Sequence, residues 1–143
     1  MGGVALWAKV SYSPSLGNPI YKGALEWDIA GGYELALGWF LLTPYVGFKT
    51  GIGFHSMSEI VTLFATFGFR AGFALGPVIP YLGGELGVGK ALSNGGFYLG
   101  EAIAGHGVIG VEIPIGPDVR LGIDMGCGYG TCLRFGATLG AVL

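Results

Sequence analysis

Few side chains in this chain are able to do chemistry, and most of those are charged. Only 11% of the 143 residues are Asp, Glu, Lys or Arg, about half the usual share. Seven of them, Lys49, Arg70, Glu85, Glu112, Arg120, Asp124 and Arg134, stand singly between small or apolar neighbours. On an extended backbone, adjacent side chains point to opposite faces, so each of these charges falls opposite an apolar face. Glu26, Asp28 and Glu34 share the pattern. Charges lined up this way can form a paired lumen charge network or, if water reaches them, a narrow path for ions or protons.

Two of these charges belong to a repeat. Pro44-Tyr45-Val46-Gly47-Phe48-Lys49-Thr50-Gly51-Ile52-Gly53 recurs thirty-six residues later as Pro80-Tyr81-Leu82-Gly83-Gly84-Glu85-Leu86-Gly87-Val88-Gly89. Tyr, the charge and the three glycines common to both copies fall at odd offsets from the proline. One strand face is therefore small and charged, and the other carries Val46, Phe48 and Ile52, or Leu82, Leu86 and Val88. Residues 116–128 form a looser third version, with Asp124 at a glycine position of the repeat.

Other reactive groups are sparse. His55 falls at a strand end beside a loop and reads as solvated; His106 falls mid-strand on the inward face and reads as a satisfied interior histidine. A lipid-modifying enzyme would need Ser or His beside a carboxylate. The serines lie in turns and the first segment, and no Gly-x-Ser-x-Gly occurs, so no catalytic residues are expected. Cys127 and Cys132 flank a four-residue loop, Gly128-Tyr129-Gly130-Thr131, which brings a disulfide within reach. No third or fourth ligand is close in sequence, so neither metal nor cofactor is expected.

The elements that position these groups follow from composition. Hydrophobic residues make up 52% of the chain and mean hydropathy is +0.65, values that suit a membrane. Helices do not suit it. Thirty glycines each cost a helix interior about 1 kcal/mol. The longest uncharged stretches, residues 35–48 and 71–84, fall short of the ~20 residues a spanning helix needs and contain prolines. A closed barrel is the other way to satisfy backbone groups in lipid. With a net charge of −2 and no basic cluster, nucleic acid is not an expected partner. A lipid bilayer or detergent is, with ions or small solutes as further partners and a monomer as the assembly state.

Period-two segments separated by turn residues span residues 4–13, 20–29, 33–42, 45–55, 60–75, 79–90, 97–113, 119–129 and 132–142. Ala30-Gly31-Gly32 reads as a three-residue hairpin loop that opposes Ile29 and Tyr33, and Thr43-Pro44 as a turn. Leu35, Leu37, Trp39 and Leu41 then face outward. Bacterial single-chain barrels have even strand numbers. The expectation is an all-β, antiparallel, up-and-down transmembrane barrel of eight strands over residues 20–143, with short turns at both ends. Residues 1–19 then form an extra strand-like segment. Ten strands, with 97–113 divided, is the alternative. A soluble barrel would show Thr, Lys, Glu or Gln to water, not glycine, which weakens an exposed strand.

The Pro-Tyr-Val-Gly pattern at Pro44–Gly47, its echo at Pro80–Gly83 and the Gly-Pro-Asp turn at 116–118 resemble the small bacterial outer-membrane β-barrel proteins, such as the membrane domain of outer membrane protein A. The resemblance covers residues 20–143. It implies a bacterial outer-membrane location. The first residues, Met1-Gly2-Gly3-Val4-Ala5-Leu6-Trp7-Ala8-Lys9, lack the basic and apolar regions of a signal peptide, so the expectation is a mature form. The functional expectation is an integral outer-membrane barrel with a polar, side-chain-filled interior and a structural or narrow-pore role. An engineered or minimised barrel without biological activity, and a lipid-modifying barrel enzyme, are the alternatives.

Overall fold

A computed structural model describes residues 2–14, 21–55, 59–93, 98–128 and 131–143. It contains eight strands: β1 (Gly2–Pro14), β2 (Tyr21–Leu37), β3 (Phe40–His55), β4 (Glu59–Phe73), β5 (Ile79–Ser93), β6 (Tyr98–Ile115), β7 (Val119–Gly128) and β8 (Thr131–Val142). Each pairs antiparallel with its neighbour, and β1 pairs with β8 to close the barrel. Closure removes the sheet edges that lipid could not satisfy. At the seam, Val4 and Leu143 exchange both backbone hydrogen bonds at 2.9 Å.

The stagger is fixed by the register. One row of partners runs from Gly89 on β5 through Phe64, Lys49, Asp28, Lys9, Thr138, Gly122 and Glu112, and returns to β5 at Ile79, ten residues from its start. Eight strands with that shear tilt by about 40°. Ten residues so tilted rise roughly 25 Å, the height of a membrane barrel's apolar band. The shortest strand has ten residues.

Expected strand count and observed strand count agree, but the strands at the N-terminal end are different ones. Residues 4–13 are not an extra segment. They are wall strand β1, hydrogen-bonded to β2 on one side and β8 on the other. Nor is Ala30-Gly31-Gly32 a hairpin loop; β2 runs straight through it, and among the described residues the glycines with positive φ are Gly23, Gly38, Gly76 and Gly116. The error has a geometric source. A three-residue loop keeps Ile29 and Tyr33 on one face, but so does an uninterrupted strand.

The turn instead falls at Gly38-Trp39, where Gly38 has φ 68°, and Leu37 pairs with Phe40. A two-residue loop with a left-handed glycine suits a tight hairpin. Thr43-Pro44 is not a turn but lies within β3. Pro44 faces outward, and its missing N–H falls in the interval between the Gly32–Tyr45 and Leu35–Leu42 partners. The shifted turn also reverses Leu41, which is buried inside the barrel instead of facing out.

β6 is continuous from Tyr98 to Ile115, so the ten-strand alternative fails. A register shift between Ala91 and Leu92 of β5 lies opposite Gly100 and Tyr98. The tight turns after Leu37, Phe73 and Ile115 share one end of the barrel with both termini. At the other end, residues 15–20, 56–58, 94–97 and 129–130 connect the strands.

The outer surface is apolar. Ile29, Val46, Phe48, Phe67, Phe69, Leu86, Ile109, Ile123, Phe135 and Leu139 are all exposed. The buried residues include Lys9, Asp28, Lys49, Glu85, Glu112, Asp124 and Arg134. A chain that hides its charges and displays its aliphatic and aromatic groups is arranged for a hydrocarbon surround.

Candidate functional site: the charged interior

All seven charges singled out in the sequence face the interior, and ion pairs connect them. Lys49 Nζ pairs with Glu85 Oε1. Arg70 Nη1 lies 2.6 Å from Glu112 Oε1. Arg120 grips Glu34 with both terminal nitrogens, at 2.5 and 2.8 Å, a forked geometry that fixes orientation as well as charge. Its Nη1 is also 3.7 Å from Glu112 Oε2. Arg134 Nη1 reaches Glu26 at 3.3 Å and Glu85 at 3.7 Å.

Lys9 completes the set at 2.5 Å from Asp124. The sequence reading omitted Lys9 because it left residues 4–13 outside the wall. The available signal was its period-two match to Ser11 and Ser13, both buried, against exposed Val10 and Tyr12.

Most of these partners sit two strands apart, with a third strand between them. For two tyrosine contacts of the same span, glycine on the middle strand makes the reach possible. Tyr45, Gly68 and Glu85 are successive register partners on β3, β4 and β5, and Tyr45 donates to Glu85 Oε2 at 3.1 Å. A Cβ on Gly68 would come within 2.8 Å of the Tyr45 ring carbon and hydroxyl. The same device recurs two strands on. Tyr81, Gly110 and Asp124 are register partners, and Tyr81 donates to Asp124 Oδ2 at 2.8 Å. A Cβ on Gly110 would meet the Tyr81 ring at 2.6 Å and Asp124 Cβ at 2.7 Å. The repeat's tyrosine and charge are two ends of one interaction in Tyr45 and Glu85, and Tyr81 makes the same reach to Asp124, which stands at a glycine position of the third version; the sequence reading assigned neither tyrosine this role.

Arg70 is held differently. Its guanidinium lies 4.4 Å from the Trp7 ring centre and 4.8 Å from that of Tyr81. Trp7 is braced edge-on by Tyr45, with centroids 4.9 Å apart. Near the tight-turn end, Arg70, Glu112, Arg120 and Glu34 thus form one continuous chain of ion pairs. The cavity beside it measures about 30 Å³, room for one or two waters.

Asp28 is the exception. It lies between Lys9 and Lys49 in the ladder, yet their ammonium groups turn to Asp124 and Glu85. Asp28 Oδ1 is buried without a hydrogen-bond partner. His106 faces inward, its Nδ1 3.5 Å from Glu85 Oε1. The cysteine pairing depends on the side chain of Cys132, which like that of His55 lies outside what the structure describes; Cys127 faces outward. Among the described residues, no group of three or more metal-binding side chains occurs.

No family model and no curated protein sequence matches the chain. Solved structures do. Neisserial surface protein A superposes with a TM-score of 0.63 at 20% identity, over 99% of this chain and 96% of the other. A de novo designed transmembrane β-barrel gives 0.58 at 14%, over 99% and 95%. The outer-membrane enzyme PagL gives 0.50 at 14%, over 97% and 98%. At these identities the likeness is one of fold: the chain is a closed, antiparallel, eight-stranded β-barrel of the transmembrane kind.

Proposed function

We propose that this chain is an integral outer-membrane β-barrel whose interior is filled by its own side chains, acting as a sealed structural element and not as an open pore. One observation carries the reading: the interior charges pair with one another across the lumen. Eight strands leave space just sufficient for side chains. The outer-membrane location rests on the apolar outer wall together with the similarity to outer-membrane barrels.

The enzyme reading finds less support. His106, the histidine best placed for it, faces the interior and not the lipid. The short connections, at most residues 15–20 in length, together with the similarity to a designed barrel, favour a minimised barrel as the second reading. In that case, replacing residues 15–20, 56–58 and 94–97 by other sequences of equal length changes no activity.

Membrane residence is tested by refolding into detergent micelles and lipid vesicles. The expected result is a β-type circular-dichroism spectrum and gel migration that changes on boiling. A chain that stays soluble without lipid and shows no such shift would sink the reading.

A further inference from the structure

We propose that the Trp7–Tyr81–Glu112 clamp is a binding site for guanidinium-type cations, which the chain occupies with its own Arg70. Each wall of the clamp is held by contacts independent of Arg70. Trp7 is buried and braced by Tyr45 at 4.9 Å. Tyr81 is anchored through its hydroxyl to Asp124 at 2.8 Å. The carboxylate at the end of the clamp, Glu112, is also within 3.7 Å of Arg120. Removing the Arg70 side chain therefore leaves two aromatic faces and a carboxylate in place, a site prepared before its ligand arrives.

The chemistry of that site is narrow. Two ring faces at 4.4 and 4.8 Å from one carbon select a flat, delocalised cation that can be stacked on. Glu112, at 2.6 Å from Nη1, selects an N–H donor lying in that plane. A free guanidinium ion meets both conditions. Sodium meets neither, and a tetraalkylammonium ion lacks the donor. The small cavity beside the clamp, lined by Trp7, Glu34, Arg70, Tyr81, Glu112 and Arg120, gives the ion an approach from the tight-turn end once the arginine stem is gone. In the intact chain Arg70 fills the site, so the wild-type barrel has no need of an external cation there.

The proposal rests on the filled-barrel reading, and chemical rescue tests it separately. Wild type, Arg70→Ala and Arg70→Met are folded in micelles, and the temperature at which each loses its folded gel band is measured in millimolar guanidinium chloride and in equal sodium chloride. Arg70→Ala is expected to melt below wild type and to recover by about 5 °C at ten times the guanidinium dissociation constant. Sodium is expected to have no such effect, and wild type and Arg70→Met, whose clamps are filled, are expected not to respond. If Arg70→Ala folds only when guanidinium is present, the proposal is equally supported. Equal responses from all three proteins, equal rescue by sodium, or no rescue of Arg70→Ala while Arg70→Met folds would overturn it. Absence of a folded band in wild type would instead count against the barrel reading.

Discussion

Lys49 and Glu85 occupy the same position in two copies of one sequence pattern, and their buried side chains form an ion pair across the strand between them. The opposite signs at equivalent positions are what allow two similar wall segments to bind one another through the lumen. Glu85 also accepts from Tyr45 and lies within 4 Å of Arg134 and His106, so it is the most connected interior carboxylate among the described residues.

Breaking that pair from one side should be costly. Glu85→Gln leaves Lys49 buried without its counter-charge, and a loss of about 3–5 kcal/mol is expected. Replacing both by methionine, Lys49→Met with Glu85→Met, should cost much less than the sum of the single changes. Urea unfolding in lipid vesicles measures both; additive losses would mean that the two side chains are not energetically coupled.

The two tyrosine–glycine–carboxylate contacts predict a contrast among glycines. Gly110→Ala forces a Cβ against Tyr81 and Asp124 and should cost about 1–3 kcal/mol through overpacking. Gly107→Ala faces outward, where the nearest atom is 3.9 Å away, and should be tolerated. The same unfolding assay compares them. Equal tolerance would show that the interior has slack at Gly110.

Asp28 and Asp124 should respond oppositely to loss of charge. Asp124→Asn removes the partner of Lys9, and a loss of several kcal/mol is expected. Both carboxylates have an unpartnered Oδ1, but Asp28 has no ion pair among the described residues while Asp124 holds Lys9, so Asp28→Asn should be close to neutral or stabilising. A large loss at Asp28 would reveal a partner that the side-chain arrangement does not account for.

The assignment of residues 2–14 to the wall is also open to test. As β1, they supply Lys9 and Trp7 and hydrogen-bond to two neighbours. Deleting them should abolish the folded, heat-shiftable band. Retention of that band would restore the reading of this segment as an addition to a complete barrel.

The sequence carried the faces of the strands better than their ends. Alternation placed Lys49, Glu85, Asp124 and Arg134 inside and Phe48, Leu86 and Ile123 outside, because period two is local and each charge sits between apolar or small neighbours. The strand ends were harder to read. Gly31-Gly32 resembled a loop though its backbone stays extended, and Pro44 resembled a break though an outward proline fits where the ladder lacks a donor. Gly38-Trp39 had no second turn residue to mark it. Partners such as Arg120 and Glu34, eighty-six positions apart, depend on the shear of the closed barrel, which no single strand encodes. The clamp around Arg70 was hidden for the same reason, since Trp7 and Tyr81 meet only after β1 joins the wall.

The central claim is that the lumen is filled. Single-channel recording in planar bilayers with purified, folded protein tests it most directly. A flat baseline is expected in wild type under conditions where insertion is verified by protease protection. Reproducible steps of defined conductance in wild type would contradict it.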